Sequence, residues 1–211
     1  MVDVLRAFST AAYAIARGVR AIWLVATVDE ALERASREPG VFTVGEENGR
    51  RPVVFDFPNS PTAMNHADLI GKVLVQRTSS GTQGALAAAS AERLFATSLV
   101  CASATARALA TESAVTYVIS GRRRDELGSG EDDYLTAKLV ERARRGEPLR
   151  ARSTAKLVAS TQWARALRDI GPPDVGVDDI ELATDVDRFD FAMEIERVDG
   201  GLRLRATRAA G

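Results

Sequence analysis

Between Gly45 and Pro61 the chain crowds together side chains suited to polar chemistry: Gly45-Glu46-Glu47-Asn48-Gly49 is followed by Asp56-Phe57-Pro58-Asn59-Ser60-Pro61. Carboxylates, amides and a hydroxyl punctuated by Gly and Pro read as loops, where a rigid frame displays its functional groups. A second place for chemistry is Val2-Asp3-Val4-Leu5-Arg6-Ala7, which reads as the tail of a strand leading through Ser9 and Thr10 into a helix. Ligands of open α/β sheets gather at the carboxyl ends of strands. There Asp3 can offer a hard oxygen to a divalent cation, and Arg6 can grip an oxyanion with two parallel hydrogen bonds. The plainer reading is a strand-end Asp capping the helix beside an exposed Arg.

Two further stretches carry the same double meaning. Thr78-Ser79-Ser80-Gly81-Thr82-Gln83-Gly84 follows an apolar run and opens an Ala-rich one. Small residues at a helix start let backbone amides approach a phosphate or sulfonate, and they equally make an ordinary capped turn. Neither a Walker loop nor a Gly-x-Gly-x-x-Gly fingerprint is present. Gly128-Ser129-Gly130-Glu131-Asp132-Asp133 puts three carboxylates into the first turn of a helical run. They favour the helix dipole, and they make a hard-cation site if they share a rim with Asp3 and Asp56. His66 is the only histidine and has no strand-end context, so it reads as a surface residue. Cys101 lies between Leu99-Val100 and Ala102, where a small buried residue is the common case and a helix N-terminus lowering its pKa is the alternative.

The elements that must position these residues alternate. Strands are expected at Ala21–Ala26, Val41–Val44, Val53–Phe57, Lys72–Gln76, Arg93–Thr97 and Ala114–Ile119. Helices are expected at Thr10–Arg17, Val28–Arg37, Gly81–Ser90, Ala102–Ala110, Glu131–Arg145 and Ala155–Ile170. Asp29 favours the start of the second of these. After Gly171-Pro172-Pro173 the chain turns acidic over Asp174–Asp190. Phe191–Glu196 and Leu202–Ala206 then flank Asp199-Gly200-Gly201, a hairpin signal. The pattern predicts an α/β fold, a layered mixed sheet flanked by helices, with a C-terminal β-hairpin closing the sheet edge or reaching a partner. Residues 1–211 are read as one domain, with the hairpin inside about 187–207.

Composition narrows the function. With 28 Lys plus Arg against 29 Asp plus Glu, a net charge of -1 argues against general binding to nucleic acid or to a membrane surface. The local run Arg122-Arg123-Arg124 lacks interleaved aromatics. A single cysteine excludes an internal disulfide, and there is neither a signal peptide nor an apolar run of the roughly 18 residues that a membrane span needs. A cytoplasmic protein is expected.

Taken in order, these segments resemble the 2-phosphosulfolactate phosphatases, the ComB family of coenzyme M biosynthesis. The resemblance is carried by Val2-Asp3-Val4-Leu5-Arg6-Ala7, Gly45-Glu46 with Gly49, Phe55-Asp56 through Asn59-Ser60-Pro61, Arg77-Thr78 with Gly81-Thr82, Ala102 through Ala106, and Gly121 with Glu131-Asp132. It implies a ComB-like fold and a Mg2+-dependent phosphatase acting on the phosphate ester of a small α-hydroxy acid that carries a second anionic group. It further implies a homodimer. On this reading Asp3, Arg6, Glu46, Asp56, Asn59 and Ser60 are the catalytic candidates. Arg6, Thr78, Ser80, Gly81, Thr82 and Cys101 bind substrate, and Asp3, Asp56, Glu131 and Asp132 hold the metal. Two departures stand out. Members usually carry a segment ahead of the Asp-Val-Leu-Arg motif, so that Asp3 is expected to be loosely held here, and the Thr-Asn-Gly-Thr loop of many members is Ser79-Ser80-Gly81-Thr82. The first departure motivates the alternative of a non-catalytic anion-binding relative.

Overall fold

The computed structural model describes residues 1–120, 130–147, 150–198 and 201–208. The basic run Arg122-Arg123-Arg124, Gly121, Gly128-Ser129 and the Asp199-Gly200 turn lie outside the described residues.

In chain order the elements are α1 (Ala7–Ala16), β1 (Ala21–Leu24), α2 (Val28–Ser36), β2 (Val41–Gly45), β3 (Phe57–Pro58), α3 (Pro61–His66), β4 (Val73–Arg77) and α4 (Gly81–Ala87). They continue with β5 (Leu94–Ala96), a 3-10 turn at Leu99–Cys101, α5 (Ala102–Ala108), α6 (Glu131–Arg144), α7 (Ala151–Ala159), α8 (Gln162–Ile170), α9 (Asp179–Ala183), β6 (Ala192–Val198) and β7 (Gly201–Thr207). Among the described residues the strands make one mixed sheet of seven, ordered β3-β2-β4-β1-β7-β6-β5. The strands β3, β2, β4 and β1 run parallel, while β7, β6 and β5 are joined to them antiparallel.

Alternation along the strands decides which residues meet which layer. Ile22, Leu24, Val44, Leu74, Met193, Ile195, Leu202 and Leu204 turn to one face and pack with Phe8, Ala11 and Ala12 of α1 in the largest core cluster. On the opposite face Val25 and Val75 pack with Ala31 of α2 and with Phe55, and Trp23 and Val41 lie against them. Phe95 and Ala192 belong to another cluster, shared with α5, α6, α7 and α8 and with Val2, Val4 and Leu5. Capping sets several ends. Thr27 and Glu30 form a reciprocal capping box at α2, and the Thr161 hydroxyl accepts from Ala164 N at the start of α8.

Four expectations need correction. Val53–Phe57 is not a strand: Phe55 N closes a turn on Pro52 O, Val53 is 95% exposed, and only Phe57–Pro58 pairs with β2. Of Ala114–Ile119 only Ile119 pairs, bridging Val2, which also bridges Thr97. The expected helix Ala155–Ile170 is two, because Ser160 N and Thr161 N close the end of α7 on Leu157 O and Val158 O. Finally, the hairpin does not close an edge: β7 pairs with β1 and β6 with β5, so both strands lie inside the sheet. Two short helices, α3 and α9, are additions to the expected set, the first of them started by Ser60 as N-cap and Pro61.

Candidate active site

The N-terminal segment is the best tied-down part of the site. The Met1 amine donates to Phe95 O at 2.6 Å, Thr97 N donates to Met1 O and Asp3 N to Thr97 O, and Val2 bridges two neighbours. Asp3 is therefore firmly held, contrary to expectation. Its Oδ1 accepts from Ala7 N at the first residue of α1 (2.9 Å). The next turn is pinned by Val4 N on Asp133 Oδ1 (2.7 Å), Ser9 Oγ on Val4 O (2.7 Å) and Trp163 Nε1 on Leu5 O (2.8 Å).

Around Asp3 lies a buried group of carboxyls. Ser120 Oγ is 3.1 Å from Asp3 Oδ2 and 2.6 Å from Asp133 Oδ2. One hydroxyl has one proton to donate, so it donates to one of the two carboxyls, and the other bonds with it only by carrying a proton of its own. The energetics agree. Burial, with the charges of Asp132 and Glu46, pushes Asp3 up to about 7 against the opposing Ala7 N–H bond. Burial pushes Asp132 up to about 6, and burial with Asp132 and Asp3 pushes Asp133 well above its ordinary value. These are the shifts expected of like charges gathered in a dry site. Gly81 makes room for the group: a Cβ there would lie 2.7 Å from Asp3 Oδ2 and 2.6 Å from the Ala7 Cβ.

Arg6 is equally fixed. Its Nη1 donates to Asp179 Oδ2 at 2.9 Å and to Asp174 O at 2.6 Å, with both side chains of the ion pair shut off from solvent. The Nε–Nη2 edge forms no hydrogen bond with a described residue, and that edge is the one a planar oxyanion engages in two parallel bonds. Asp179 Oδ1 in turn accepts from Ser60 Oγ (2.6 Å) and Thr62 N (3.0 Å), and Oδ2 accepts from Gly176 N (2.9 Å). One carboxylate thus joins Arg6, the start of α3 and the loop before α9. Ser60 also caps α3, accepting from Ala63 N, while the neighbouring Asn59 Oδ1 is buried without a partner among the described residues.

The loops after β2 and β4 meet through Glu46. Its Oε1 accepts from Ser79 N and its Oε2 from Gly49 N (2.7 Å) and Ser79 Oγ (3.0 Å). Thr78 and Thr82 bond reciprocally, Thr78 N to Thr82 Oγ1 at 2.9 Å and Thr82 N to Thr78 Oγ1 at 3.0 Å. Three amides of the anion-loop candidate are therefore taken by side chains, and those of Ser80 and Gly81 donate to no described residue. Of the other candidates, Asp56 is exposed and its Oδ2 accepts from Thr43 N and Oγ1 at the β2–β3 side of the sheet. Glu131 is exposed on the first turn of α6. Cys101 is fully buried in the core, and burial pushes its thiol up. Asp133, Ser120, Asp174, Asp179 and Trp163 were not singled out as site residues. Asp133 was visible only as the third of an acidic run, and nothing local sets Asp179 apart from Asp178.

The donor set suits a hard cation in chemistry. The charge of Asp132 raises the proton affinity of Asp3, and magnesium takes one or two carboxylates and keeps waters for a phosphate. Among the described residues no group of three or more His, Cys, Asp or Glu is arranged to enclose a metal, so a bound cation would draw its remaining ligands from water and substrate.

Comparison with known proteins gives a consistent answer. The 2-phosphosulpholactate phosphatase family matches residues 1–196. The probable 2-phosphosulfolactate phosphatase of Bacillus subtilis (strain 168) is 30% identical over 201 residues, 93% of this chain and 86% of that protein. A protein of the same description from Thermoplasma acidophilum is 29% identical over 203 residues, covering 95% and 86%. One from Thermus thermophilus is 38% identical over 144 residues, covering 66% and 58%. With the match spanning the N-terminal Asp-Val-Leu-Arg turn, both cross-sheet loops and the loop that carries Asp179, the chain belongs to the 2-phosphosulfolactate phosphatase family.

Proposed function

We propose that this protein is a phosphoric monoester hydrolase that removes phosphate from a small α-hydroxy acid bearing a second anionic group, with 2-phosphosulfolactate as the type substrate and Mg2+ as cofactor. Kinship supports the enzyme class. The observation that carries the chemistry is the pairing of Asp3 and its buried carboxyl neighbours with the open edge of Arg6 in a single turn. Mg2+, when bound, would neutralise phosphoryl oxygens, and Asp3 and Asp132 would hold it. Asp133 Oδ2 and Ser120 Oγ keep a proton between them and fix the turn through Val4 N. Arg6 orients the phosphate or sulfonate with two parallel bonds, and Asp179 aims it. Glu46 holds the loops after β2 and β4 in register. Asn59 Oδ1, an acceptor without a partner among the described residues, suits the hydroxyl or protonated edge of a substrate.

The non-catalytic alternative was motivated by a loosely held Asp3, and the contacts of Met1 through Asp3 remove that motive. The proposed setting is the cytoplasm, and a two-fold homodimer is proposed on kinship alone.

Phosphate release from a panel of phosphorylated α-hydroxy acids, with Mg2+ and with EDTA, tests the reading. Turnover of sulfonated or dicarboxylic members that needs Mg2+ and disappears in Asp3→Asn is expected. Activity undiminished in EDTA would remove the metal assignment, and no release from any member would remove the reaction.

A further inference from the structure

The face of the sheet away from α1 is covered by α2 over β1, β2 and β4 and by α5 beside β6. Between them no described element covers the hairpin face, and a cleft of about 470 Å³ opens there at the starts of the parallel strands, lined by Ala21, Val41 and Val73. The reaction site uses the opposite ends of those strands, at Glu46 and Thr78, so the two are separate.

Five arginines from three parts of the chain converge on the cleft: Arg20 ahead of β1, Arg34 and Arg37 at the end of α2, and Arg203 and Arg205 on β7. Among the described residues a single carboxylate, Glu38, lines it. A bare antiparallel hairpin needs a polar outer face, and alternation puts Arg203 and Arg205 there opposite Leu202 and Leu204. That accounts for two arginines and not for five. The two on β7 are paired on the same face by their cross-strand neighbours on β6: Arg203 meets Glu196 at 3.1 Å, and Arg205 meets Glu196 and Glu194. Arg37 pairs with Glu33, which does not line the cleft. The Arg34 guanidinium lies 3.9 Å from the Trp23 ring centroid, and burial with the charge of Arg37 pushes it below its ordinary value. The Arg20 guanidinium has no ion pair or hydrogen bond with any described residue.

We infer that this cleft is a second anion site, which takes a small organic molecule carrying two or more phosphate, sulfonate or carboxylate groups. A ligand with two such groups can engage Arg20 and the β7 pair, which approach from different elements, at once, and a rigid guanidinium fork suits each of these oxyanions. The volume is that of an ordinary small-ligand pocket. Arg20 and Arg203 make the specific contacts, and Trp23 supplies an apolar floor.

The protein's two tryptophans report the two sites separately, since Trp23 lies in the cleft and Trp163 donates to Leu5 O beside Arg6. Inorganic pyrophosphate is titrated into the full chain while the two indole N–H resonances are followed. The Trp23 signal is expected to shift saturably. In Arg20→Ala/Arg203→Ala its midpoint should weaken by about tenfold or more, the lower end for losing charge-assisted hydrogen bonds, whereas the Trp163 titration should be unchanged. Should the double variant lose its dispersed spectrum, Arg20→Ala alone decides, because that side chain has no partner whose loss could unfold the protein. A Trp23 signal that ignores pyrophosphate, that moves as much with chloride at equal ionic strength, or that titrates identically in the variants overturns the proposal. So does one that follows protein concentration instead of pyrophosphate, which would mean that a second copy of the chain fills the cleft.

Discussion

Arg6 and Asp179 show how one buried pair can position a reactive edge without using it up. Because both bonds from Arg6 leave through Nη1, the charge of a lysine at this position would still face Asp179 while the Nε–Nη2 edge vanished. Arg6→Lys is expected to stay folded and to lose at least about tenfold in kcat/KM, a loss of roughly 1.4 kcal/mol or more in transition-state binding. Near-normal kinetics in that variant would show that the edge meets no substrate. Asp179→Asn behaves differently, since it strands a buried guanidinium and weakens the bonds to Ser60, Thr62 and Gly176 together. Removing one partner of a buried pair costs about 3–5 kcal/mol, so thermal unfolding should shift down strongly along with activity. Unfolding unchanged from that of the parent would mean that Asp179 does not hold this region together.

The elements explain why the parts of the site were unequally legible in the chain. Asp3, Arg6 and Thr78 sit at strand ends, where a rule about open sheets points directly. Glu46 and Ser60 sit in segments rich in Gly and Pro, where turn chemistry betrays a loop. Asp179 sits at the start of a five-residue helix after a Pro-Pro turn, and what sets it apart is its contacts with Arg6, Ser60 and Thr62, more than a hundred residues away in sequence. Val53–Phe57 misled because two β-branched residues in a row look like a strand, although they lie on an exposed turn and have no neighbour to pair with. The hairpin's strands were read correctly and its position was not, since pairing partners follow from three-dimensional order and not from local pattern. At this scale Gly81 can be tested. In Gly81→Ala the new Cβ meets Ala7 and Asp3 where neither backbone can yield easily. A loss of about 1–3 kcal/mol on overpacking is expected, together with a larger drop in activity than in Gly84→Ala, whose Cβ would meet only the flexible end of Met1. Equal activity in the two variants would separate Gly81 from the carboxyl group.

For the whole molecule, the hairpin lies inside the sheet and offers a partner no free edge. The sheet ends at β3 with two residues and at β5 with three, short edges that offer little template for pairing. What remains measurable across the whole fold is how the buried charges couple stability to pH. Asp3, Asp132 and Asp133 all hold protons more tightly when folded than the ordinary carboxylate value of 3.8. For such groups the folded state carries the extra protons, so stability falls as pH rises from about 4 toward about 7. The Met1 amine opposes them: burial lowers it from 8.0 to about 5, so the unfolded state holds the extra proton between those values and stability gains with pH. Three carboxyls outweigh one amine over the interval they share. The melting temperature of the metal-free protein is therefore expected to fall between about pH 5 and about pH 7, and more gently in Asp133→Asn, which removes one of the three. Mg2+ binds only ionised carboxyls, and a ligand that binds only the folded state raises its stability by mass action. Its stabilisation should accordingly be larger at about pH 8 than at about pH 5. Calorimetry of the metal-free and magnesium-loaded protein at both ends settles this without any assay of turnover. A melting temperature that rises across the interval would mean that the carboxyl group is not protonated in the folded state, and an equal Mg2+ effect at both pH values would place the cation away from Asp3 and Asp132.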